Sequence, residues 1–338
     1  MNKQEIEISP ERRRDCHRLA GRIAYETHEE VMSMVKAGVK VIDIVQKAES
    51  LVHEKGAKTS FPTNVSINSI AAHYTSPYGD TTTIPDNSVV KVDIGTHIDG
   101  FIADMARTYV LGNNQTGQKL KEAAIAGWKA GMEFISPESK ISKVGEACED
   151  AIKEYGFLPI RELSGHQVER YELHSKKSLP NIKLPHDKAG SQGQLELDEV
   201  YAFETFASSG IGSVHDVQNR RYIYSLYVGD DGAPIRIPVR SRNTRAVRSY
   251  IAREFRGLPF SKRWILEKFS PPKGRFALAQ LYKAGAVHAY HVLAESKDSL
   301  VAQHEHTFIV KDDGPEITTL PPWNFELEEE ELEGFLNK

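Results

Sequence analysis

Two aspartates interrupt the apolar runs of the segment VVKVDIGTHIDGFIADMART, residues 89–108. A β-branched run, a polar Asp-Gly pair and a second apolar run together predict a β-hairpin. In such a hairpin Asp93 faces either Asp104 or Ala106, and both registers place the two aspartates on the same face of the sheet. Like charges at that range repel and are costly to bury, so the pair needs a compensating partner.

Three more strand-like segments carry ionisable side chains among apolar or β-prone neighbours. LSGHQVERYELH contains His166 and His174, VYAFETFAS contains Glu204, and VAQHEHTFIV contains Glu305. Acidic groups outnumber basic ones in these segments, so salt bridges alone are a poor explanation for them. Taken singly, each residue also has an ordinary structural role, as a strand edge, a solvent-facing acid or a hydrogen-bonded histidine.

Taken together, the four carboxylates and one imidazole predict a pair of divalent cations. A donor set rich in oxygen, with one histidine and no cysteine, suits Mn(II), Fe(II) or Co(II), and Zn(II) also fits. Two such ions about 3.5–4 Å apart can share a hydroxide nucleophile and polarise a carbonyl group. The predicted chemistry is therefore hydrolytic.

Composition excludes several other classes of protein. The chain has 338 residues, 40% hydrophobic and 27% charged, which is enough for one large domain or two modest ones. Its net charge of −4 gives no polybasic signature overall, and Cys16 and Cys148 supply neither a disulfide framework nor a zinc motif. Without a signal-peptide pattern or an apolar run of about 18 residues, a cytoplasmic protein with no membrane partner is expected.

Hydrophobic periodicity and the positions of glycine and proline predict the helices and strands that must position these residues. Two helices and the hairpin are followed by two further helices and three further strands. The predicted helices span 9–36, 42–55, 116–134 and 140–155, and the later strands span about 163–173, 199–207 and 302–310. Residues 61–80 are predicted as strand and loop.

Residues 213–290 differ in composition from the rest. The segments RSRNTRAVRSYIAREF, SKRWILEKF and GRFALAQLYKAG are helix-like and basic, and Gly-Leu-Pro and Pro-Pro-Lys-Gly separate them. They predict an inserted subdomain of helices rather than a continuation of the sheet. The catalytic domain would then comprise 1–212 and 291–318, and 319–338 would form an acidic C-terminal tail with no assigned role.

The sequence resembles the type 2 methionine aminopeptidases over residues 8–312. The resemblance rests on the order Asp, Asp, His, Glu, Glu and on the motifs FPTNVSINSIAAHYTSP, VDIGTHIDGFIADMART, LSGHQVERYELH, FETFAS, LPFSKRW and AQHEHT. It implies an α/β (α+β) pita-bread fold, with pseudo-twofold halves around a dinuclear site, in its compact archaeal form. The segment 213–290 is similar to the helical insert of type 2 enzymes.

The resemblance also implies roles for the metal ligands. Asp93 would chelate one ion and Asp104 would bridge both. His166 and Glu204 would bind the other ion, and Glu305 would bridge. Glu204 would also be the general base toward the bridging hydroxide.

The substrate residues follow in the same way. His73 would lie near the substrate amine and peptide nitrogen, and His174 would contact the scissile amide. The pocket for the methionine side chain would include Phe61, Leu173 and Tyr290. As an alternative, the two histidines could be hydrogen-bonded structural residues and Tyr290 an ordinary packed tyrosine.

The implied function is removal of the N-terminal methionine from nascent proteins whose second residue is small, by a dinuclear-metal-bound hydroxide. Two alternatives stay open: an X-Pro-specific peptidase of the same fold, and a non-catalytic relative that binds the ribosome or RNA. The expected partners are the N-terminus of the nascent chain and, through the basic insert, the ribosome, with the protein itself a monomer. The chain departs from the family pattern at Thr205, where many archaeal members have proline, and at His304, where an aromatic residue is common.

Overall fold

The computed structural model describes residues 8–185, 193–229 and 232–323. Within these ranges the helices are α1 (Pro10–Met32), α2 (Val41–Glu54), α3 (Gln115–Met132), α4 (Ile141–Glu154), α5 (Arg242–Glu254), α6 (Lys262–Phe269) and α7 (Pro271–Lys283). The strands are β1 (Lys58–Thr59), β2 (Asn64–Ile67), β3 (Ile70–Ala72), β4 (Val89–Ile98), β5 (Phe101–Val110), β6 (Leu158–Pro159), β7 (Ser164–Gln167), β8 (Ser178–Pro180), β9 (Val200–Ser208), β10 (His215–Leu226), β11 (Phe260–Ser261), β12 (Val287–Ala294), β13 (Val301–Ile309) and β14 (Glu316–Ile317). Most of the predicted acidic tail, residues 324–338, lies outside the described residues.

The four predicted helices of the catalytic part are present, and the first is shorter than expected. Ser9 caps α1 by accepting a hydrogen bond from the Arg12 backbone N–H at 3.3 Å, and Pro10 occupies the first turn. The helix ends at Met32 because the following chain leaves to pair with a distant loop, where the Gly38 N–H donates to the Ile84 carbonyl. This long-range contact carries no local sequence signal.

The hairpin forms in one of the two predicted registers. Asp99 and Gly100 both have positive φ, 50° and 88°, as a two-residue type I′ turn requires. Asp93 pairs with Ala106, and Asp104 pairs with Gly95. Both carboxylates therefore lie on one face of the sheet, as the period of two predicts.

The main sheet joins two similar halves. Its strand order is β1-β4-β5-β13-β9-β7-β8, and each half carries its own apolar core between a helix pair and two long strands. In the first half α1 and α2 pack on β4 and β5, and in the second half α3 and α4 pack on β9 and β13. The site residues lie on strands from both halves, so the sheet itself brings them together.

Two threonine hydroxyls link the halves at the point where few backbone pairs join them. The central strands β5 and β13 pair directly only at Ala106 and Glu305. On one side of this pair the Thr307 Oγ1 accepts from the Asp104 N–H at 2.7 Å and donates to the Asp104 carbonyl at 2.9 Å. On the other side Thr108 makes the same two contacts with Gln303, at 2.8 and 2.7 Å. Each threonine thus fixes the backbone of a residue of the site.

Replacing Thr307 with Val is expected to lower the free energy of unfolding by about 2 kcal/mol, because it leaves a buried N–H and C=O of Asp104 without their partner. Urea denaturation measures the change. The exposed Thr81→Val is the matched control, with an expected change within about 0.5 kcal/mol. Equal effects of the two substitutions would contradict the bridging role of Thr307.

The segment 213–290 contains the three predicted helices, α5 to α7, but it also contains strands. β10, β11 and β12 join β3 in a second, four-stranded sheet with the order β11-β10-β12-β3. The Arg263 guanidinium, at the start of α6, binds both carboxylate oxygens of Glu49 on α2 at 2.8 and 2.7 Å, and both side chains are buried. This buried ion pair holds α6 against α2 of the first half. The domain boundaries at 212/213 and 290/291 stay a prediction.

No helix of the described ranges is long and apolar enough to cross a membrane. Cys16 on α1 and Cys148 on α4 are both buried and free. Neither thiol contributes to the site described below.

Candidate metal centre

The five predicted ligands come from five strands and converge on one face of the main sheet. His166 Nε2 lies 3.8 Å from Asp104 Oδ2, and ligand atoms of Asp104, His166 and Glu305 all lie within 4.8 Å of one another. Glu204 on β9 pairs directly with Glu305 on β13 in the strand register. Asp93 joins them through an amide that also contacts both glutamates.

That amide belongs to Gln303, which the sequence analysis missed. Its Nε2 lies 3.0 Å from Glu305 Oε2, 3.3 Å from Glu204 Oε2 and 3.5 Å from Asp93 Oδ2. A signal was present, because Gln303 precedes Glu305 by two residues and must share its face in a strand. Gln303 is the neutral donor at the centre of the carboxylate cluster.

Burial and mutual repulsion dominate the electrostatics of the cluster. Burial raises the pKa of Asp93 to about 7. Burial, with repulsion from the neighbouring carboxylates, raises the pKa values of Asp104, Glu204 and Glu305 well above their ordinary range. Burial lowers the pKa of His166 to about 4, so its imidazole is neutral near pH 7 and can offer a lone pair.

The donor set fits divalent cations. Asp93 Oδ1, Asp104 Oδ1 and Glu305 Oε1 are buried and lack a hydrogen-bond partner in the described structure. Buried carboxylate oxygens of this kind require a cation or a donor, and several of them around one neutral imidazole form an oxygen-rich ligand set. The residues that would hold the metal are therefore in place.

The predicted substrate histidines lie beside this cluster. The His174 ring is 4.4 Å from the His166 ring, and the Tyr290 ring is 5.5 Å from the His73 ring and 6.4 Å from the His174 ring. Burial, together with the nearby histidines, lowers the pKa of His174 well below its ordinary value. One wall of the site thus consists of neutral imidazoles around a tyrosine.

The expected strand around 163–173 is wrong beyond Gln167. The chain leaves the sheet there, and Glu169 and Glu172 bridge to each other in a tight turn. His174 consequently sits on a loop, which returns its ring to His166 rather than placing it further along the strand.

Phe61 and Leu173 lie in one apolar cluster next to the carboxylates. A Cβ atom at Gly95 would lie 2.1 Å from the Phe61 ring. Because Gly95 shares its face of β4 with Asp93, the absence of a side chain at this position gives the Phe61 ring room beside the carboxylate cluster. Together with Tyr290, these side chains supply apolar surface near the site.

An open cleft of about 1430 Å³ reaches this wall from the surface. His174 and Tyr290 line it, together with α1 and the insert, which contribute Arg13, Arg14, Arg256 and Gly257. Basic, acidic and apolar groups from separate elements line the cleft, and at His174 and Tyr290 it meets the imidazole wall beside the carboxylate cluster.

The two departures from the family pattern face away from the carboxylates. Thr205 Oγ1 donates to the Ala124 carbonyl of α3 at 2.8 Å. The His304 ring packs 5.3 Å from the Trp128 ring and 4.8 Å from the His306 ring. Since neighbouring residues of a strand point to opposite faces, both side chains lie behind the site and contribute to packing against α3.

A family model described as metallopeptidase family M24 matches residues 15–240 of the chain. The chain belongs to metallopeptidase family M24. A curated methionine aminopeptidase of Thermococcus onnurineus is 42% identical over 300 residues, which cover 89% of this chain and 97% of the relative. The predicted resemblance to archaeal methionine aminopeptidases is confirmed, and this M24 member is a metal-dependent hydrolase.

Two solved structures have the same fold as this chain. A thermophilic Arx1 has a TM-score of 0.81 at 19% identity and covers 98% of this chain and 99% of its own. Methionine aminopeptidase from Thermotoga maritima has a TM-score of 0.64 at 19% identity and covers 93% of this chain and 98% of its own. These likenesses concern the fold alone, and the predicted pita-bread fold is confirmed.

Proposed function

We propose that this M24 hydrolase removes the N-terminal methionine from nascent polypeptides whose second residue is small. The main support for the proposal is the buried cluster of four carboxylates and one neutral imidazole, next to the histidine and tyrosine side chains that line a cleft. The similarity to curated methionine aminopeptidases indicates the substrate. An extended N-terminus would reach the cluster along this cleft, past His174 and Tyr290.

We propose two divalent cations in the cluster, with Fe(II), Mn(II), Co(II) and Zn(II) as the candidates. Asp93 would hold one and His166 and Glu204 the other, with Asp104 and Glu305 shared by both. When bound, such cations acidify water and polarise a carbonyl group. The orphaned oxygens of Asp93, Asp104 and Glu305 support this assignment.

The protein side chains then supply binding and proton transfer. Phe61, Leu173 and Tyr290 would hold the apolar methionine side chain. Glu204 would take a proton from the attacking water and deliver it to the departing amine. His174 would hydrogen-bond the oxygen of the scissile amide, while His73 would contact the substrate nitrogen.

The direct test is anaerobic release of methionine from Met-Ala-Ser after reconstitution with Fe(II), Mn(II) or Co(II). Metal-dependent release is expected, together with much slower release from Met-Leu-Ser, since the proposal requires a small second residue. Ala-Pro peptides distinguish the proposed function from that of an X-Pro-specific peptidase. Cleavage of Ala-Pro but not Met-Ala-Ser would overturn the proposal in favour of that alternative.

We further propose that the insert contacts ribosomal RNA. Residues 213–290 contain 15 basic and 5 acidic residues, whereas the rest of the chain contains 28 basic and 42 acidic residues. Burial and the nearby Arg275 and Arg221 lower the pKa of Lys262, and the Arg221 guanidinium stacks on the exposed Tyr282 ring at 5.0 Å. Clustered cations beside exposed aromatic rings are typical of surfaces that bind RNA.

Reversing the charge of Arg221 and Arg275 together is expected to reduce co-sedimentation with ribosomes at least about tenfold at low salt, because each lost phosphate contact weakens binding. The control reverses Lys119 and Lys143, outside the insert, and should sediment as the wild type does. Turnover of Met-Ala-Ser should stay unchanged in both variants. Undiminished sedimentation of the Arg221/Arg275 variant would exclude this surface.

A further inference from the structure

His73 is held in a conformation that its own sequence does not favour. It follows β3 and has a φ of 62°, in the left-handed region that a non-glycine residue seldom adopts. Its ring is anchored from the insert side, where Nδ1 lies 3.1 Å from the main-chain carbonyl oxygen of His291 on β12. The backbone of β12 at His291 therefore helps to place the His73 ring.

This contact also fixes the tautomer of His73. A carbonyl oxygen can only accept, so Nδ1 carries the hydrogen and Nε2 of the neutral ring is left as an acceptor. Burial lowers the pKa of His73, which favours the neutral ring. Nε2 is thus the atom available to a substrate N–H group.

The strand that supplies the anchoring carbonyl is itself irregular. β10 advances from Asp216 to Arg221 while its partner β12 advances only from Leu293 to His291, and Asn219 within this bulge has a φ of 62°. Register shifts lie on both sides of the Arg221–His291 pair, so the regular ladder is interrupted on each side of His291. A side-chain contact spans the gap, with the His291 Nδ1 at 2.6 Å from Asp216 Oδ2.

We propose that the Asp216–His291 pair is a positioning device for His73. Asp216 ties the side chain of His291 across the bulge, and the main chain of His291 in turn holds the Nδ1–H of His73, so that its Nε2 faces the substrate nitrogen. The proposal rests on the proposed aminopeptidase function for the meaning of that geometry. Asp216 and His291 need not touch the substrate themselves.

A purely structural role predicts something different. The Asp216 and His291 side chains are 53% and 31% exposed, and exposed ion pairs contribute only about 0–1 kcal/mol to stability. Removing the pair should therefore leave the fold intact. Its effect should appear in kcat, through misplacement of a group that acts in the transition state.

The test uses the single variants Asp216→Ala and His291→Ala and the double variant. Each is expected to lower kcat for Met-Ala-Ser about tenfold with little change in KM, since small misplacements can cost up to about a hundredfold. The double variant should be no worse than either single variant. In a His73→Ala background, Asp216→Ala should have no further effect. Glu146→Ala, which breaks an exposed ion pair on α4, should match the wild type.

Imidazole ¹⁵N–¹H NMR gives a readout that does not depend on turnover. The wild type should show His73 as the Nδ1–H tautomer with one set of ring signals, and Asp216→Ala should broaden or shift those signals. Unchanged signals and unchanged kcat in Asp216→Ala, or an equal loss of kcat in the His73→Ala background, would overturn the proposal. Failure of the wild type to release methionine, with the His73 signals shifting as predicted, would instead count against the proposed function alone.

Discussion

Glu204→Gln is expected to lower kcat for Met-Ala-Ser by at least about 10³-fold, since positioned general acid–base groups alone contribute about 10²–10⁴-fold. The substitution keeps the volume of the side chain but removes both the base and one of the four charges that would neutralise the metals. Single-turnover and steady-state release of methionine, with metal content measured on the same samples, give the result.

Glu295→Gln is the matched control for this experiment. Glu295 is also buried, but its carboxylate accepts from the Ile211 N–H at 2.8 Å and the Ser296 hydroxyl at 2.7 Å, on loops outside the carboxylate cluster. We expect this variant to lose stability while kcat per folded molecule stays near that of the wild type. Wild-type turnover and metal content in Glu204→Gln would refute its assignment as ligand and base.

The second large effect concerns stability in the absence of metal. Asp93 has a folded-state pKa of about 7, and those of Asp104, Glu204 and Glu305 lie well above their ordinary values. Acids with raised pKa values bind more protons folded than unfolded, so their contribution to stability is lost as the pH rises. The free energy of unfolding of the metal-free protein should therefore fall relative to the metal-loaded protein between pH 6.5 and 8.5.

The size of this difference in the free energy of unfolding follows from the number of protons that the site retains. Each proton that the folded, metal-free site retains corresponds to about 1.4 kcal/mol per pH unit, so a single net proton gives about 3 kcal/mol over the two units. The buried Lys91, whose pKa burial lowers, acts in the opposite sense, but it does so in both forms and cancels in the difference. The buried histidines have lowered pKa values and stay neutral in this window.

Urea denaturation of chelator-treated and metal-loaded protein at pH 6.5, 7.5 and 8.5 measures the divergence. Asp104→Asn supplies the internal check, because removing one buried ionisable carboxyl group should stabilise the metal-free protein at pH 8.5 and abolish the gain from metal. A constant gap between the two forms across this range would show that the carboxylates are ionised in the folded, metal-free state.

The shared face of Asp93 and Asp104 could be predicted from the sequence because it depends only on the period of two and on a turn with a clear signature. The same reasoning places Gln303 beside Glu305, although polar residues in strands usually draw notice only when they carry charge. Distances between strands, such as the approach of His166 to Asp104, depend on sheet order, which no local pattern encodes. The resemblance to a known family indicated only that His166 and Asp104 belong to one site.

Other features could not be predicted from the sequence, and each has an identifiable physical reason. β10 is rich in exposed and basic residues, and a bulge breaks its alternation between Asp216 and Arg221, so the segment resembles a loop. The bridging contacts of Thr108 and Thr307 are invisible because threonine is common in strands and its partner lies on the other half of the chain. The loop position of His174 reflects tertiary contact rather than local propensity.

We propose that cations, and not protons alone, compensate the buried carboxylates and make this site hydrolytic. Calorimetric titration of the metal-free protein with Mn(II) under anaerobic conditions, with methionine release from Met-Ala-Ser followed on the same samples, tests it directly. We expect saturable uptake of two equivalents, with activity appearing as they bind, and loss of both in Glu305→Ala. Full turnover after complete chelation, or the absence of stoichiometric uptake, would contradict it.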